Sequence, residues 1–171
     1  IRDLVRSRGL GAQLAVVGAC VDREPTMAGK PARPLLEATC TRLGCHRPIF
    51  VGDRLDTDIL GARNAGITSL FVLTGAHGVH DLMDADPDRR PDHIGADLGA
   101  LLEPPQRVVV GGDAARCDGQ LVRQIDGDLE VDLTNHDMAA QLCGVRALLE
   151  LVWTDRVPVN HDALSVFDLL H

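Results

Sequence analysis

The sequence predicts an α/β fold: a parallel sheet built through a helical crossover, followed by a smaller α+β unit. Three observations carry this. Two short apolar runs, Ile49-Phe50-Val51 and Ile67 to Leu73, flank a helix-forming segment, Thr57 to Ala65, which is a βαβ unit and therefore a right-handed parallel crossover. Glu103-Pro104-Pro105-Gln106 then reads as a linker, because paired prolines cannot continue a helix. Beyond it, Gln120 to Leu133 alternates around Asp126-Gly127, the signature of an antiparallel hairpin.

The elements follow in order. Four charges stand among Leu, Val and Ile in the first ten residues, which read as part of an element. Gly11 to Cys20 fits a helix or a buried strand equally, because so short an apolar run has no decisive period. Asp22 to Thr26 is a polar turn. Pro31 and Pro34 stand where a helix begins, since a first-turn proline gives up only an unpartnered amide. Leu35, Leu36, Thr39, Cys40 and Leu43 recur at helical spacing, and Gly44 stops the helix. Ile49 to Val51 is expected as a buried strand ending at Gly52, and Gly66 closes the crossover helix. Asp84 to Asp92 is an acidic, proline-containing loop. His93 to Ala96 and Leu98 to Leu102 form a last short strand and helix. After the linker and hairpin, Met138 to Trp153 is an amphipathic helix with Met138, Leu142, Val145, Leu149 and Val152 on one face. The segment from Val157 is weakly helical. Residues 1–104 and 105–171 are thus expected as two units. About 65 residues is small for independent stability, so the second is expected to pack on the first.

Composition excludes several functions. The 171 residues carry a formal charge of −8, which argues against nucleic acid or an anionic membrane as the main partner. Aromatic residues make up only 2%, with no Tyr, so platforms for stacking bases are missing. The longest apolar stretch, Leu14 to Cys20, is far too short to span a bilayer. No signal-peptide pattern is present, so a cytoplasmic location is expected. Five cysteines without a C-x-x-C pair point to reduced, mostly buried thiols rather than a disulfide framework or zinc site.

Chemistry concentrates in Val51-Gly52-Asp53-Arg54-Leu55-Asp56-Thr57-Asp58-Ile59. Three carboxylates fall within six residues directly after a strand, and ligands of open α/β sheets gather at the carboxyl ends of strands. Clustered aspartates repel one another unless a cation offsets them, and a hard divalent ion with oxygen ligands is the natural partner. An acidic loop with Asp58 beside a helix N-terminus would account for the same string about as well. Lys30, between Gly29 and Pro31 and just before a helix, is placed to hold a phosphate.

Taken together, Gly29-Lys30-Pro31, the Val51–Ile59 string, Ala65-Gly66 and Leu73-Thr74-Gly75 resemble the third and fourth motifs of haloacid-dehalogenase-type (HAD) phosphatases. The closest subgroup contains p-nitrophenylphosphatases and phosphoglycolate phosphatases. The resemblance runs from about Gly11 to Leu102. It implies the C-terminal half of a Rossmann-like core and Mg²⁺-dependent hydrolysis of a small phosphorylated metabolite, of glycerol 3-phosphate or phosphoglycolate type, through an aspartyl-phosphate. It also implies that Lys30 neutralises the nucleophile and the transferred phosphoryl group, that Asp53 binds Mg²⁺, and that Asp58 orders the metal shell. The C-terminal unit is similar to the small acetyltransferase-like domain of mycobacterial glycerol-3-phosphate phosphatases.

The family's first motif, an apolar strand ending in Asp-x-Asp-Gly, supplies the nucleophile, and it belongs upstream of the lysine together with a substrate-choosing cap. None of the internal candidates fits: Asp84-Ala85-Asp86 lies in a loop, Asp126-Gly127-Asp128 in a hairpin, and Val108 to Asp113 in the wrong order. The nucleophile-bearing half is therefore expected to be absent, and these residues alone are expected to be inactive. An alternative is a non-catalytic module that keeps only the metal and phosphate half-site. Three weaker features carry bland readings. His77 and His80 are an exposed pair in a loop with no third ligand. Gln141 to Ala147 resembles an acyl-CoA pyrophosphate loop but sits within an amphipathic helix. Trp153 reads as core or interface.

Overall fold

The computed structural model describes residues 10–21, 26–126, 128–154 and 157–167. The expected element in residues 1–9, most of the turn at 22–26 and Gly127 of the hairpin lie outside them.

The chain forms a parallel and a separate antiparallel sheet. The parallel sheet has three strands, β1 (Ile49–Gly52), β2 (Thr68–Val72) and β3 (His93–Gly95), in that order. Its register pairs Ile49 with Thr68 and Leu70 with His93. Helix α1 (Leu10–Gly18) resolves the first ambiguity in favour of a helix, although Leu14, Val16 and Val17 remain exposed. Helix α2 (Pro34–Leu43) begins at its proline and ends at Gly44, whose φ of 62° is the left-handed conformation that closes a helix. The crossover begins earlier than the sequence indicates: Leu55–Ile59 is a wide π-type turn leading into α3 (Leu60–Ala65), which Gly66 closes.

Strand β1 corrects one expectation. Among the described residues it pairs only with β2, so it is an edge rather than a buried strand, and Ile49 is 51% exposed. Strand β2, with partners on both sides, buries every residue from Ser69 to Val72. The stretch between the second and third strands also differs from expectation. The loop expected at His77 to His80 gives way from Val79 to helix α4 (Val79–Met83), with Val79, Leu82 and Met83 buried at helical spacing.

The antiparallel sheet is a meander of β4 (Val108–Gly111), β5 (Ala114–Cys117), β6 (Gln120–Ile125) and β7 (Asp128–Asp132). The expected hairpin is its second half. The first half went unpredicted, since Val108 to Asp113 is a strand and tight turn. Helix α5 (Met138–Trp153) is capped by Asp137, whose carboxylate accepts from Ala140 N at 2.8 Å. Its buried surface is broader than one face: every residue from Ala140 to Leu149 except Arg146 is buried, while Met138 is exposed. A short 3₁₀ helix, His161–Val166, follows.

One apolar cluster runs from Leu55, Phe71 and Ile94 through to Val122, Leu148 and Phe167, so α5 packs against both sheets' elements. Polar contacts made by α5 join them as well. Trp153 Nε1 donates to Leu82 O at 3.0 Å, Arg90 Nη1 donates to Trp153 O at 2.8 Å, and the Arg146 guanidinium donates to Ile94 O. Of the five cysteines only Cys117 and Cys143 are buried. They face each other, and that contact, helped by Arg146, holds the Cys143 thiol down to about 7 while pushing Cys117 up. Among the described residues, no helix is long and apolar enough to cross a membrane.

Candidate active site

The carboxyl ends of β1 and β2 carry the candidate residues. Strand β1 ends at Gly52, so Asp53 is the first side chain beyond the sheet. Its Oδ2 accepts from Ala76 N at 2.7 Å, and its carbonyl oxygen accepts from His77 N at 3.2 Å. These two amides belong to the loop after β2, so the two strand ends are tied to each other through Asp53. Asp53 Oδ1 has no protein partner among the described residues.

Gly75 lies directly against this carboxylate. A Cβ built on it would fall inside the Asp53 side chain, so only glycine lets the loop come so close. Gly52 plays the same part on the other side, where an added Cβ would overlap the Cβ of Asp58.

Lys30 arrives from the loop before α2. Asn64 Nδ2 donates to Pro31 O at 2.8 Å, and Pro31 and Lys30 lie against α3 at Gly61. Lys30 Nζ then reaches Asp58 Oδ1 at 2.5 Å and sits 5.7 Å from the centre of the Phe50 ring. The side chain of Lys30 is 40% exposed and that of Asp58 only 6%, so a buried carboxylate anchors a lysine whose head stays accessible. Asp58 Oδ2 accepts from Arg54 N at 3.2 Å, which leaves neither of its oxygens unbonded. The structure therefore joins Lys30 with Asp58, and it holds Asp53 separately on the β2 loop.

Asp56, the middle carboxylate, is turned away. Arg54 Nε and Nη2 grip it at 3.1 and 2.8 Å, and this bidentate hydrogen bond holds its carboxyl below the usual range. Both side chains are largely solvated, so screening makes the pair weak. Arg54→Gln is expected to leave Mg²⁺ affinity unchanged in calorimetric titration and to shift Tm only slightly, less still in high salt. Because the folded pKa of Asp56 is depressed, what it adds to stability is present at neutral pH and disappears only as pH falls below the ordinary carboxylate range.

A divalent cation fits Asp53 as one ligand: a hard oxygen donor with a free atom, held by Ala76 N through its other oxygen. Among the described residues, no three His, Cys, Asp or Glu side chains converge to form a complete cage. Mg²⁺ needs no such cage, since it keeps several waters and takes one or two carboxylates.

Sequence reasoning missed two features. His77 does not pair with His80; its Nδ1 accepts from Leu55 N at 3.0 Å, whereas His80 Nδ1 meets His161 Nδ1 at 3.1 Å. The close approaches at Gly52 and Gly75 were visible only as strand-ending glycines. Gln141 to Ala147 lies wholly within α5, where Leu133 and Phe167 pack 2.7 Å from the position of a Gly144 Cβ, so that glycine serves packing.

Known proteins match this chain over much of its length. Residues 27–101 match the HAD-hydrolase-like family. The chain is 36% identical over 163 residues to a D-glycerol 3-phosphate phosphatase of Mycobacterium tuberculosis, covering 90% of this chain and 44% of that protein. It is 36% identical over 108 residues to phosphoglycolate phosphatase 2 of Arabidopsis thaliana, covering 60% of this chain and 36% of the relative. A crystal structure of glycerol phosphate phosphatase from Mycobacterium tuberculosis in complex with magnesium superposes with a TM-score of 0.62 and 32% identity, over 95% of this chain and 50% of the other. The chain thus spans about half the length of the relatives it matches or less.

Proposed function

We propose that this chain, whose residues 27–101 match the HAD-hydrolase-like family, supplies the metal- and phosphate-holding half of a phosphomonoesterase site. The observation that carries the reading is the pairing of an accessible Lys30 with buried Asp58, next to an Asp53 that keeps one free carboxylate oxygen. Lys30 is the phosphate-binding cation, Asp53 the Mg²⁺ ligand, and Asp58 the group that aims the lysine and, through it, orders the site. When bound, Mg²⁺ supplies charge neutralisation for the phosphoryl group. The substrate is a small phosphorylated metabolite, of the glycerol 3-phosphate or phosphoglycolate type that names the relatives. Residues 105–171, with their meander and single long helix, are read as an appended acetyltransferase-like unit.

Phosphoryl transfer by this chemistry needs a carboxylate nucleophile, and these 171 residues hold no strand ending in Asp-x-Asp-Gly. The free edge of β1 offers a place for one: a strand added in parallel there would bring its carboxyl end beside Asp53. A second reading, a module that binds Mg²⁺ and phosphate without turnover, rests on the same lack of an Asp-x-Asp-Gly string in these 171 residues.

The test is release of phosphate from p-nitrophenyl phosphate by the 171-residue chain, with Mg²⁺ and with chelator, alongside titration of Mg²⁺. The expected result is Mg²⁺ binding without turnover. Chelator-sensitive release would show that a nucleophile is present within these residues, and no Mg²⁺ binding would remove the site. Turnover by a protein carrying these residues together with an Asp-x-Asp-Gly strand separates the first reading from the second.

A further inference from the structure

We propose that His77 is a positioning residue for the Asp53 site, acting as the acceptor that caps the helical segment after Asp53. The inference rests on reading Asp53 as the cation ligand. Leu55 opens the π-type turn, and the first amides of a helical segment have no acceptor within it. Leu55 is 4% exposed, so its N–H has no water to turn to. Its partner is the ring of His77, 22 residues away, at 3.0 Å. The preceding amide, Arg54 N, is met in the same way by Asp58.

His77 also works through its backbone. Its own N–H donates to Asp53 O, and the amide before it, Ala76 N, donates to Asp53 Oδ2. Residues 76–77 therefore grip residues 53–55 with three bonds, one on the carboxylate itself and one on each side of the Asp53–Leu55 backbone. An amide N–H pointing at Nδ1 requires a lone pair there, so the ring is in the form that carries its hydrogen on Nε2. Removing the acceptor leaves a buried N–H unpaired, and the turn relaxes by moving the loop that fixes Asp53. Groups that orient a metal ligand without touching the metal commonly affect affinity by tenfold or more.

The side chain's geometry provides the test. Asparagine places Oδ1 near the position of Nδ1, glutamine reaches toward Nε2, and phenylalanine fills the ring's space with no acceptor. In the 171-residue chain, His77→Phe is expected to weaken Mg²⁺ binding by roughly tenfold and to speed amide exchange at Leu55, with the circular dichroism spectrum unchanged. His77→Asn is expected to restore both, and His77→Gln neither. Faster exchange at Leu55 with unaltered Mg²⁺ affinity would reduce His77 to a structural cap and overturn the proposal. Unchanged exchange at Leu55 in His77→Phe overturns it too, while leaving the Asp53 reading intact. Absence of Mg²⁺ binding in the unsubstituted chain sinks the Asp53 reading first and this inference with it, a result distinct from the other two.

Discussion

Asp53→Asn is expected to weaken Mg²⁺ binding by on the order of 100-fold or more, with the fold intact. The substitution keeps the side chain's size and an oxygen that can accept from Ala76 N, so the tie to the β2 loop survives. What disappears is the negative charge beside a divalent ion. Even at an effective dielectric near 20, a unit charge about 4 Å from another is worth roughly 4 kcal/mol, and a divalent partner raises that. Desolvation offsets part of it, and about 1.4 kcal/mol is enough for each factor of ten. Calorimetric titration with Mg²⁺, with thermal unfolding as the control, reads the effect. Asp113 provides the contrast, since it is exposed in the β4–β5 turn of the antiparallel sheet, whereas Asp53 follows β1 of the parallel one. Asp113→Asn should change nothing, and a loss of Mg²⁺ binding there instead would mean the motifs have been assigned to the wrong strand. In a complete enzyme containing these residues, Asp53→Asn should also abolish turnover.

Gly52→Ala is expected to damage stability and site together. The new methyl group would overlap Asp58 Cβ, which is fixed by the turn and cannot rotate away as the end of a long side chain could. Either β1 or the turn must shift, at about 1 to 3 kcal/mol, the usual cost of overpacking. For a chain of this size that lowers Tm by several degrees. The same shift pulls Asp58 from Lys30, so binding of inorganic phosphate should be lost in parallel. Gly111→Ala, with no atom near the added Cβ, is the control for alanine substitution itself. If Gly52→Ala kept both its Tm and its phosphate affinity, the Lys30–Asp58 alignment would not matter as argued.

Much of the fold was legible because backbone rules act locally. Pro34, Gly44 and Gly66 mark helix limits by the dihedral angles they favour, and the structure places those limits where the residues do. The 16-residue helix Met138–Trp153 also appears at its expected boundaries, because its spacing is periodic over more than four turns. Short elements were harder. Helix α4 has only five residues, too few for periodicity to stand out between two loops. Strand β4 is the valine run Val108 to Val110 itself, and β5 follows it across a two-residue turn, Gly112-Asp113, too short to carry a hairpin pattern of its own.

The candidate site divides along the same line. Sequence alone placed Asp53 and Asp58 just after a strand and Lys30 just before a helix, while the roles proposed for them come from the resemblance to HAD phosphatases. Pairing was decided only by tertiary structure. Residues 30 and 58 meet because α3 packs beneath the Lys30 loop at Gly61, and residues 53 and 76 meet because β1 and β2 are parallel neighbours. The same holds for Asp56, which has the sequence context of a ligand and the geometry of an arginine partner, and for His77, which looks like half of a histidine pair and serves as a helix cap. A side chain's chemical type is written in the sequence. Which acceptor lies 3 Å from which donor is decided by packing, and contacts across 22 or more residues have no local signature.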